Sequence, residues 1–346
     1  IYKVHGLPFV RPEPSSAGSA TAEADSEVLL ALTEFCPEGR FAFVPKMNCQ
    51  PVIQFCFKAG QRIKKECFEP YSFRKAALLV TSGCVTVTGF GWRSYIRDMA
   101  CAKRKAFADP VLQGVYNAAL RTFSHNAVDI FTDCPSRERA GWLCDSYFTA
   151  KAEHFFFGNT AVEDAFLENF VLYRSEGEFP AGVLPMVYPS DPHENNKFIP
   201  QWDMWYVLEV CEYLTLRNPA ADKECFRPSV TGILDFLRQY ENEWGLLEKL
   251  PSWNFVEWST ANQWTQDVNY PTNFLYAGML EAAGTVFDLP LQDKADQIRR
   301  EVIRRAFDGE VFVDHAARVD GELVNFHHIS EAGQYYAALF GGIDLN

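Results

Sequence analysis

The chain has 346 residues, of which 48% are hydrophobic and 15% aromatic, so it is long enough for one large globular domain or two ordinary ones and too apolar to be disordered. Its formal net charge is -13 and its lysines and arginines form no runs, which argues against nucleic acid or an anionic membrane surface as a partner. No apolar run approaches the roughly 20 residues that a membrane-spanning helix needs, and a neutral substrate fits this composition best.

Residues 1–105 carry short apolar runs with the spacing of β-strands. The runs at 41–44, 52–57 and 77–80 are separated by proline and glycine, as strands joined by turns are. Residues 11–25 are rich in Pro, Ser, Ala and Gly and predict an exposed loop. We therefore predict a β-sandwich portion over residues 1–105.

From Asp109 onward the apolar residues recur with helical spacing. Asp109 followed by Pro110 predicts a helix start, and Thr160–Glu163 predicts a capping box at the start of another helix. The face of the first helix that is predicted to be buried consists of Val111, Leu112, Val115, Ala118 and Ala119.

The later helical segments are of two kinds. Residues 204–216 and 273–287 are apolar almost all round, as enclosed helices are, whereas residues 292–307 combine one apolar face with one charged face. This alternation predicts two concentric layers of helices. With the segments 147–157, 226–240 and 330–340, about eight helices make residues 106–346 a mostly α-helical domain.

A dense charged stretch, Phe131–Asp145, lies between two of these helices. It contains three carboxylates, two arginines and Trp142. Singly, such residues are often turn residues, surface ion pairs or core, but a loop between buried helices gains no stability from three carboxylates so close together. As a set they suit a sugar, because carboxylates and arginine bind vicinal hydroxyls and an aromatic ring stacks on a pyranose.

Glu138 is the candidate for the acid that protonates a glycosidic oxygen. Arg137 and Arg139 flank it, and a nearby cation lowers the pKa of a carboxyl, whereas a general acid that works near neutrality needs a raised pKa. Burial and repulsion from Asp133 and Asp145 must therefore outweigh the arginines, or the arginine side chains must point elsewhere.

The segment Asp133–Trp142, with the sequence Asp-Cys-Pro-Ser-Arg-Glu-Arg-Ala-Gly-Trp, resembles the signature of the bacterial α-L-rhamnosidases, glycoside hydrolase family 78. The family pattern is Asp-Cys-Pro-Gln-Arg-(Asp)-Glu-Arg-x-Gly-Trp-x-x-Asp, and Asp145 matches its last position. One departure is that this chain lacks the residue that commonly precedes the catalytic glutamate. Residues 109–126 and 89–95 are also similar to the family, so the resemblance covers most of the chain, although the loop alone is specific.

The resemblance implies an (α/α)6 toroid that hydrolyses terminal α-L-rhamnosides with inversion and without a cofactor. The expected partner is a rhamnose-containing oligosaccharide, polysaccharide or glycoside, with Glu138 as the general acid. Trp202 and Trp258 fall where the family presents sugar-stacking aromatics, although each could equally be a core residue. The matching residues that are implied to hold the rhamnose are Asp133, Arg137, Trp142 and Asp145.

An inverting enzyme also needs a base roughly 6.5 to 9.5 Å from the acid. In the family the base comes from late in the toroid, which has twelve helices, so we expect the chain to be a fragment that lacks the base and hydrolyses little alone. Glu257 is an alternative base within the chain.

No metal is expected, because the ten cysteines include no Cys-x-x-Cys pair and the group Asp191, His193 and Glu194 lacks partners at ligand spacing. The cysteines do not distinguish a cytoplasmic from a periplasmic or secreted protein.

Two other functions compete with this interpretation. A different glycosidase or a polysaccharide lyase could use the same toroid, but a lyase favours tyrosine or histidine with a cation, whereas this loop is rich in acids. A carbohydrate-binding protein could retain the site without hydrolysis, and it predicts rhamnose binding that depends on Arg137 and Trp142 with no product.

Overall fold

A computed structural model describes residues 2–5, 18–42, 51–65, 67, 70–175, 177–189 and 197–342. Two compact units make up the chain: the first is Ile1–Ala100, Asp109–Val128 and Thr132–Arg139, and the second is Cys101–Ala108, Asp129–Phe131 and Ala140–Asn346. The boundary near residue 105 stays a prediction. Three predicted features lie wholly or partly outside the described residues: the loop at 11–17, the strand end at Phe43 and Val44, and the group Asp191, His193 and Glu194.

The first unit contains two antiparallel sheets. Its strands are β1 (Tyr2–His5), β2 (Gly18–Ala22), β3 (Ser26–Thr33), β4 (Val52–Phe57), β5 (Arg62–Lys65), β6 (Lys75–Ser82) and β7 (Val85–Gly89). The strand orders are β1-β6-β3-β4 in one sheet and β5-β2-β7 in the other. Ala22, Val28 and Phe57 form one buried cluster with residues of both sheets, so the sheets share a core. The predicted β-sandwich portion is confirmed.

Strand β2 shows that the loop predicted over residues 11–25 is wrong at residues 18–22, whereas residues 23–25 are exposed bends as predicted. The strand pairs antiparallel with β5 on one side and β7 on the other, and Ala22 is buried. Small residues have weak intrinsic β-propensity, which is why the composition indicated a loop. Hydrogen bonding from two neighbouring strands overrides that preference.

Helix α1 (Pro110–Asn126) begins where predicted, but it buries a different face. The Asp109 carboxylate caps it by accepting the Val111 N–H at 2.7 Å. The predicted buried face is wrong, because the side chains from Val111 to Ala119 that form it are exposed and Tyr116 and Phe123 are buried instead. This helix has apolar residues on two faces, and burying the larger aromatic ones removes more apolar area from water.

The second unit is built from helices in two layers. They are α2 (Asp145–Phe157), α3 (Ala161–Leu172), α4 (Pro200–Glu212), α5 (Arg227–Arg238), α6 (Tyr270–Phe287), α7 (Gln292–Ala306) and α8 (Glu331–Phe340). Helices α2, α4, α6 and α8 pack in succession, and α4 and α6 are buried on nearly all sides, whereas α5 and α7 bury one face. The predicted two-layer toroid of mostly α-helical class is confirmed. Of the eight α-helices in the described ranges, none is long and apolar enough to cross a membrane.

A small sheet that the sequence did not predict adjoins the start of α6. It consists of β8 (Val268–Asn269), β9 (His315–Val319) and β10 (Glu322–Phe326), in the order β10-β9-β8. Asn269 belongs to β8 and also caps α6, since its Oδ1 accepts the Thr272 N–H at 2.9 Å. The β9–β10 hairpin is therefore attached directly to the N-terminus of an inner helix.

The start of α3 corrects the predicted capping box. The Thr160 side chain makes no capping hydrogen bond. Instead the buried carboxylate of Glu153, on α2, accepts the N–H groups of Val162 and Glu163 at 3.0 and 2.9 Å. A carboxylate at a helix N-terminus satisfies free donors and interacts favourably with the helix dipole. This contact joins α2 and α3 into one hairpin.

A buried ion cluster links these helices to the end of α4. One turn of π-helix (Tyr213–Arg217) follows α4 and places the Arg217 guanidinium against Glu163, with Nε–Oε2 at 2.9 Å and Nη2–Oε1 at 2.7 Å. Arg217 Nη1 also donates to Glu212 at 2.9 Å. The side chains of Arg217 and Glu163 are 4% and 0% exposed, so this charge pair is fully removed from water.

Glu209 is the carboxyl of this cluster whose pKa is raised most. Burial and mutual repulsion raise the pKa of Glu209 to about 8 and that of Glu163 to about 7. Arg217 makes its bidentate contact with Glu163, whereas Glu209 accepts a hydrogen bond from the neutral Ser146 hydroxyl at 2.5 Å. We therefore expect a proton in this cluster to be held by Glu209 rather than by Glu163.

We expect stability to fall as the pH rises toward 8, and Glu209→Gln to flatten that dependence. The folded-state pKa of Glu209 lies above its unfolded value, so between the two the folded state holds a proton that the unfolded state has lost. Because of this difference, the free energy of unfolding falls by up to about 1.4 kcal/mol per pH unit as the pH rises. Glutamine keeps an oxygen for Ser146 and does not titrate. Thermal unfolding of both proteins from pH 5 to 9 measures the effect, and parallel curves would contradict it.

Candidate active site

The first half of the signature loop, up to Arg139, belongs to the first unit. Thr132 N–H donates to the Asn126 carbonyl at 2.8 Å, which ties the loop to the end of α1. Pro135–Glu138 then form a turn, and the Glu138 N–H donates to the Cys134 sulfur at 3.4 Å. The cysteine therefore has a structural role in the turn that presents Glu138, which sequence reasoning missed.

Glu138 faces one of its two flanking arginines. Arg137 Nη2 lies 2.9 Å from Glu138 Oε1, and the Glu138 side chain is 19% exposed. Arg139 has left-handed backbone (φ 53°) and turns away, with Nη1 donating to the Pro70 carbonyl at 2.5 Å and the guanidinium 5.9 Å from the centre of the Tyr71 ring. Of the two arginines that flank the candidate acid in the sequence, Arg137 is therefore the one that contacts its carboxyl.

The second half of the loop belongs to the second unit and pairs with an extended segment. Leu143 N–H donates to the Met186 carbonyl and Tyr188 N–H to the Gly141 carbonyl, both at 3.0 Å, with Trp142 opposite Val187. A Cβ on Gly141 would lie 2.4 Å from the Tyr188 carbonyl oxygen. The glycine of the signature is therefore required by the close approach of two backbones.

Trp142 and Asp145 flank the entry into α2. Cys144, between them, has left-handed backbone (φ 68°) and precedes the first residue of the helix, Asp145. Non-glycine residues in this conformation are strained and cluster at functional sites. Asp145 is exposed in the first turn, where the helix dipole favours a carboxylate. Trp142 is half-buried.

Trp202 and Trp258 are connected through a third ring. Phe255 lies between them, with ring centres 4.9 Å from Trp202 and 4.7 Å from Trp258, both edge to face. Trp258 is 81% exposed, whereas Trp202 is 8% exposed. We call residues Trp253–Ser259 the platform loop, because they present Trp258 to solvent on a base of buried rings.

Asp203 and Glu257, which are next to Trp202 and Trp258 in the sequence, differ in their exposure to a ligand. Asp203 follows Trp202 in the first turn of α4, but it is buried, and burial raises its pKa well above the usual range. Glu257, on the platform loop, is half-buried. Within the described ranges no group of three or more histidine, cysteine, aspartate or glutamate residues is placed to hold a metal.

The predicted site residues thus fall into two groups. Asp133, Arg137 and Glu138 lie in the first unit, where Arg137 and Glu138 contact each other. The other group lies in the second unit and consists of Trp142, Asp145, Trp202 and Trp258. A carboxyl paired with arginine suits polar hydroxyls, and an exposed tryptophan suits the apolar face of a sugar ring.

Comparisons with known proteins point to one family. Residues 106–319 match the sequence model of the bacterial alpha-L-rhamnosidase 6 hairpin glycosidase domain. The structure of the GH78 family rhamnosidase of Bacillus sp. GL1 is similar at a TM-score of 0.74 and 21% identity, over 94% of this chain and 34% of that one. The rhamnosidase from Klebsiella oxytoca with rhamnose bound is similar at 0.70 and 14%, over 92% of this chain and 64% of that one.

The chain therefore spans about a third of the first of these relatives and less than two thirds of the second. No curated protein sequence matches it.

Proposed function

The chain belongs to the bacterial α-L-rhamnosidase six-hairpin glycosidase family, and on that premise we propose that it serves a glycoside hydrolase that removes terminal α-L-rhamnosyl residues with inversion. The observation that carries the proposal is the largely buried carboxyl of Glu138 on the signature loop, paired with Arg137. Asp133, Arg137, Trp142 and Asp145 are assigned to the sugar hydroxyls and ring, and Trp202 and Trp258 to the aromatic base on which it stacks.

In this mechanism Glu138 gives its proton to the glycosidic oxygen as the bond to the anomeric carbon breaks. Water attacks that carbon from the opposite face and gives its own proton to a base, so the configuration inverts. The transition state has oxocarbenium character, and no cofactor takes part. Glu257 is a candidate for the base within the chain.

Arg137 holds Glu138 in place before the substrate arrives. Its Nη2 lies 2.9 Å from Glu138 Oε1. In the proposed complex the hydroxyls of the rhamnoside accept hydrogen bonds from the guanidinium in place of this carboxyl. The Glu138 carboxyl is then released to contact the glycosidic oxygen.

We expect the protein to bind L-rhamnose and Trp258→Ala to weaken that binding by about tenfold, because the stacking face of the sugar site is lost. Isothermal titration calorimetry with L-rhamnose measures it, with D-glucose as the sugar control. Trp244→Ala is the matched control: the Trp244 ring packs against the guanidiniums of Arg305 and Arg318, 3.9 and 4.9 Å from its centre, and its loss should not change the affinity.

No heat of binding with L-rhamnose would count against the proposed function. Binding without release of rhamnose from any rhamnoside would favour the carbohydrate-binding alternative.

A further inference from the structure

One buried amide fastens the platform loop to the inner helices. Gln201, in the first turn of α4, accepts the Phe255 N–H at its Oε1 at 3.2 Å. Its Nε2 donates to Asn254 Oδ1 and to Thr272 Oγ1, both at 3.1 Å. Thr272 lies in the first turn of α6, so the side chain of Gln201 joins two inner helices and the loop.

Other contacts also hold this loop. Trp253 N–H donates to the Phe198 carbonyl at 3.1 Å, and Val256 N–H donates to Asn262 Oδ1 at 2.9 Å. The Trp253 ring lies 6.1 Å from the Trp258 ring, centre to centre. Gln201 instead holds the backbone of Phe255, whose ring touches both Trp202 and Trp258. Gln201 is only 1% exposed, so water cannot replace its amide as a hydrogen-bond partner if the side chain is removed.

We propose that Gln201 is a positioning residue for sugar binding, which fixes Phe255 and through it the orientation of the exposed Trp258 ring. A sugar binds more tightly to a ring that already has its bound orientation, because ordering a side chain on binding weakens the affinity. This inference rests on the proposed function in one respect, that Trp258 is the stacking surface for the sugar.

The variant Gln201→Met tests it, because methionine has a similar length and forms none of the three hydrogen bonds. We expect the affinity for L-rhamnose to fall by about tenfold, as when the ring itself is removed. We also expect the ¹⁹F resonance of 5-fluorotryptophan at Trp258, identified with Trp258→Phe, to broaden and move toward the position of the free amino acid. Loss of the packing against Phe255 removes its ring-current shift.

Asn273→Leu is the matched control. Asn273 is also a fully buried amide, and it accepts the Leu247 N–H at 2.7 Å and donates to the Leu247 carbonyl at 3.1 Å. This variant should lower Tm as Gln201→Met does, while leaving both rhamnose affinity and the Trp258 resonance unchanged.

The conservative variant Gln201→Glu should keep near-normal affinity at pH 5, where a buried carboxyl is neutral and can still accept and donate. It should lose affinity at pH 8, where the carboxyl ionises.

Unchanged affinity and an unchanged Trp258 resonance in Gln201→Met would overturn the inference, as would equal losses in Gln201→Met and Asn273→Leu. If the unaltered protein binds no rhamnose, the proposed function fails. The resonance then still decides whether Gln201 positions Trp258.

Discussion

Replacing Glu138 with glutamine is expected to lower kcat/KM for an alkyl α-L-rhamnoside by about 100-fold or more in the full-length protein. An alkoxide is a poor leaving group, so the bond to the anomeric carbon breaks only as the glycosidic oxygen receives a proton. Glutamine has nearly the same shape as glutamate and can accept a hydrogen bond from Arg137, but it has no proton to give. Initial rates of rhamnose release with the two proteins measure the loss.

Comparing substrates with different leaving groups shows whether Glu138 acts as the acid or has another role. A 4-nitrophenyl rhamnoside needs little protonation, so Glu138→Gln should lose much less activity with it than with the alkyl substrate. Glu257→Gln is the contrasting variant, because losing a base that activates water slows both substrates equally. Equal losses with both substrates in Glu138→Gln, or turnover within a few-fold of the unaltered protein, would remove Glu138 from the role of acid.

Helices α4 and α6 could be predicted as inner helices because nothing in their sequence offers a solvent-facing side. The segments 204–216 and 273–287 are apolar almost all round, and such helices must be enclosed. Helix α1 shows the limit of this reasoning. Its two apolar faces are both plausible by spacing, and the tertiary structure, which spacing does not contain, selects the one with Tyr116 and Phe123.

At the candidate site, the residues proposed to contact the sugar could be predicted from the sequence. The residues that hold them in position could not. Asp133, Glu138 and Trp142 stand out because charge and aromatic rings are concentrated within one short loop. Gln201 and Phe255 do not stand out, since an amide and an apolar ring are ordinary core residues in a sequence. Their 54-residue separation becomes a contact only when α4 and the platform loop meet.

The cluster around Arg217 could not be predicted from the sequence either, because its members are brought together only by the packing of the helices. Its carboxyls come from two helices far apart in the chain, Glu163 from α3 and Glu209 and Glu212 from α4. Arg217 reaches them because the π-helical turn shifts the register of the last residues after α4. A buried charge is tolerated when it is paired and hydrogen-bonded, so this cation determines whether the carboxyls can remain in the core.

We therefore expect Arg217→Met to destabilise the fold by about 3 to 5 kcal/mol, the usual effect of removing one partner from a buried ion pair. Methionine fills much of the same space, so the loss comes from the uncompensated charge on Glu163 rather than from a cavity. Urea unfolding at pH 7 measures it. Arg238→Met is the control, because its pair with Asp235 is exposed and should contribute at most about 1 kcal/mol.

Two further measurements identify the stranded charge as the cause. Adding Glu163→Gln to Arg217→Met should restore part of the lost stability, since the remaining amide is neutral, although Glu163→Gln alone destabilises. Raising the pH from 7 to 9 should widen the gap in stability between Arg217→Met and the unaltered protein. Loss of the cation raises the pKa of Glu163 further, so the folded variant continues to lose stability at pH values where the loss in the unaltered protein has ended. A double variant less stable than Arg217→Met, with a gap independent of pH, would attribute the loss to packing instead.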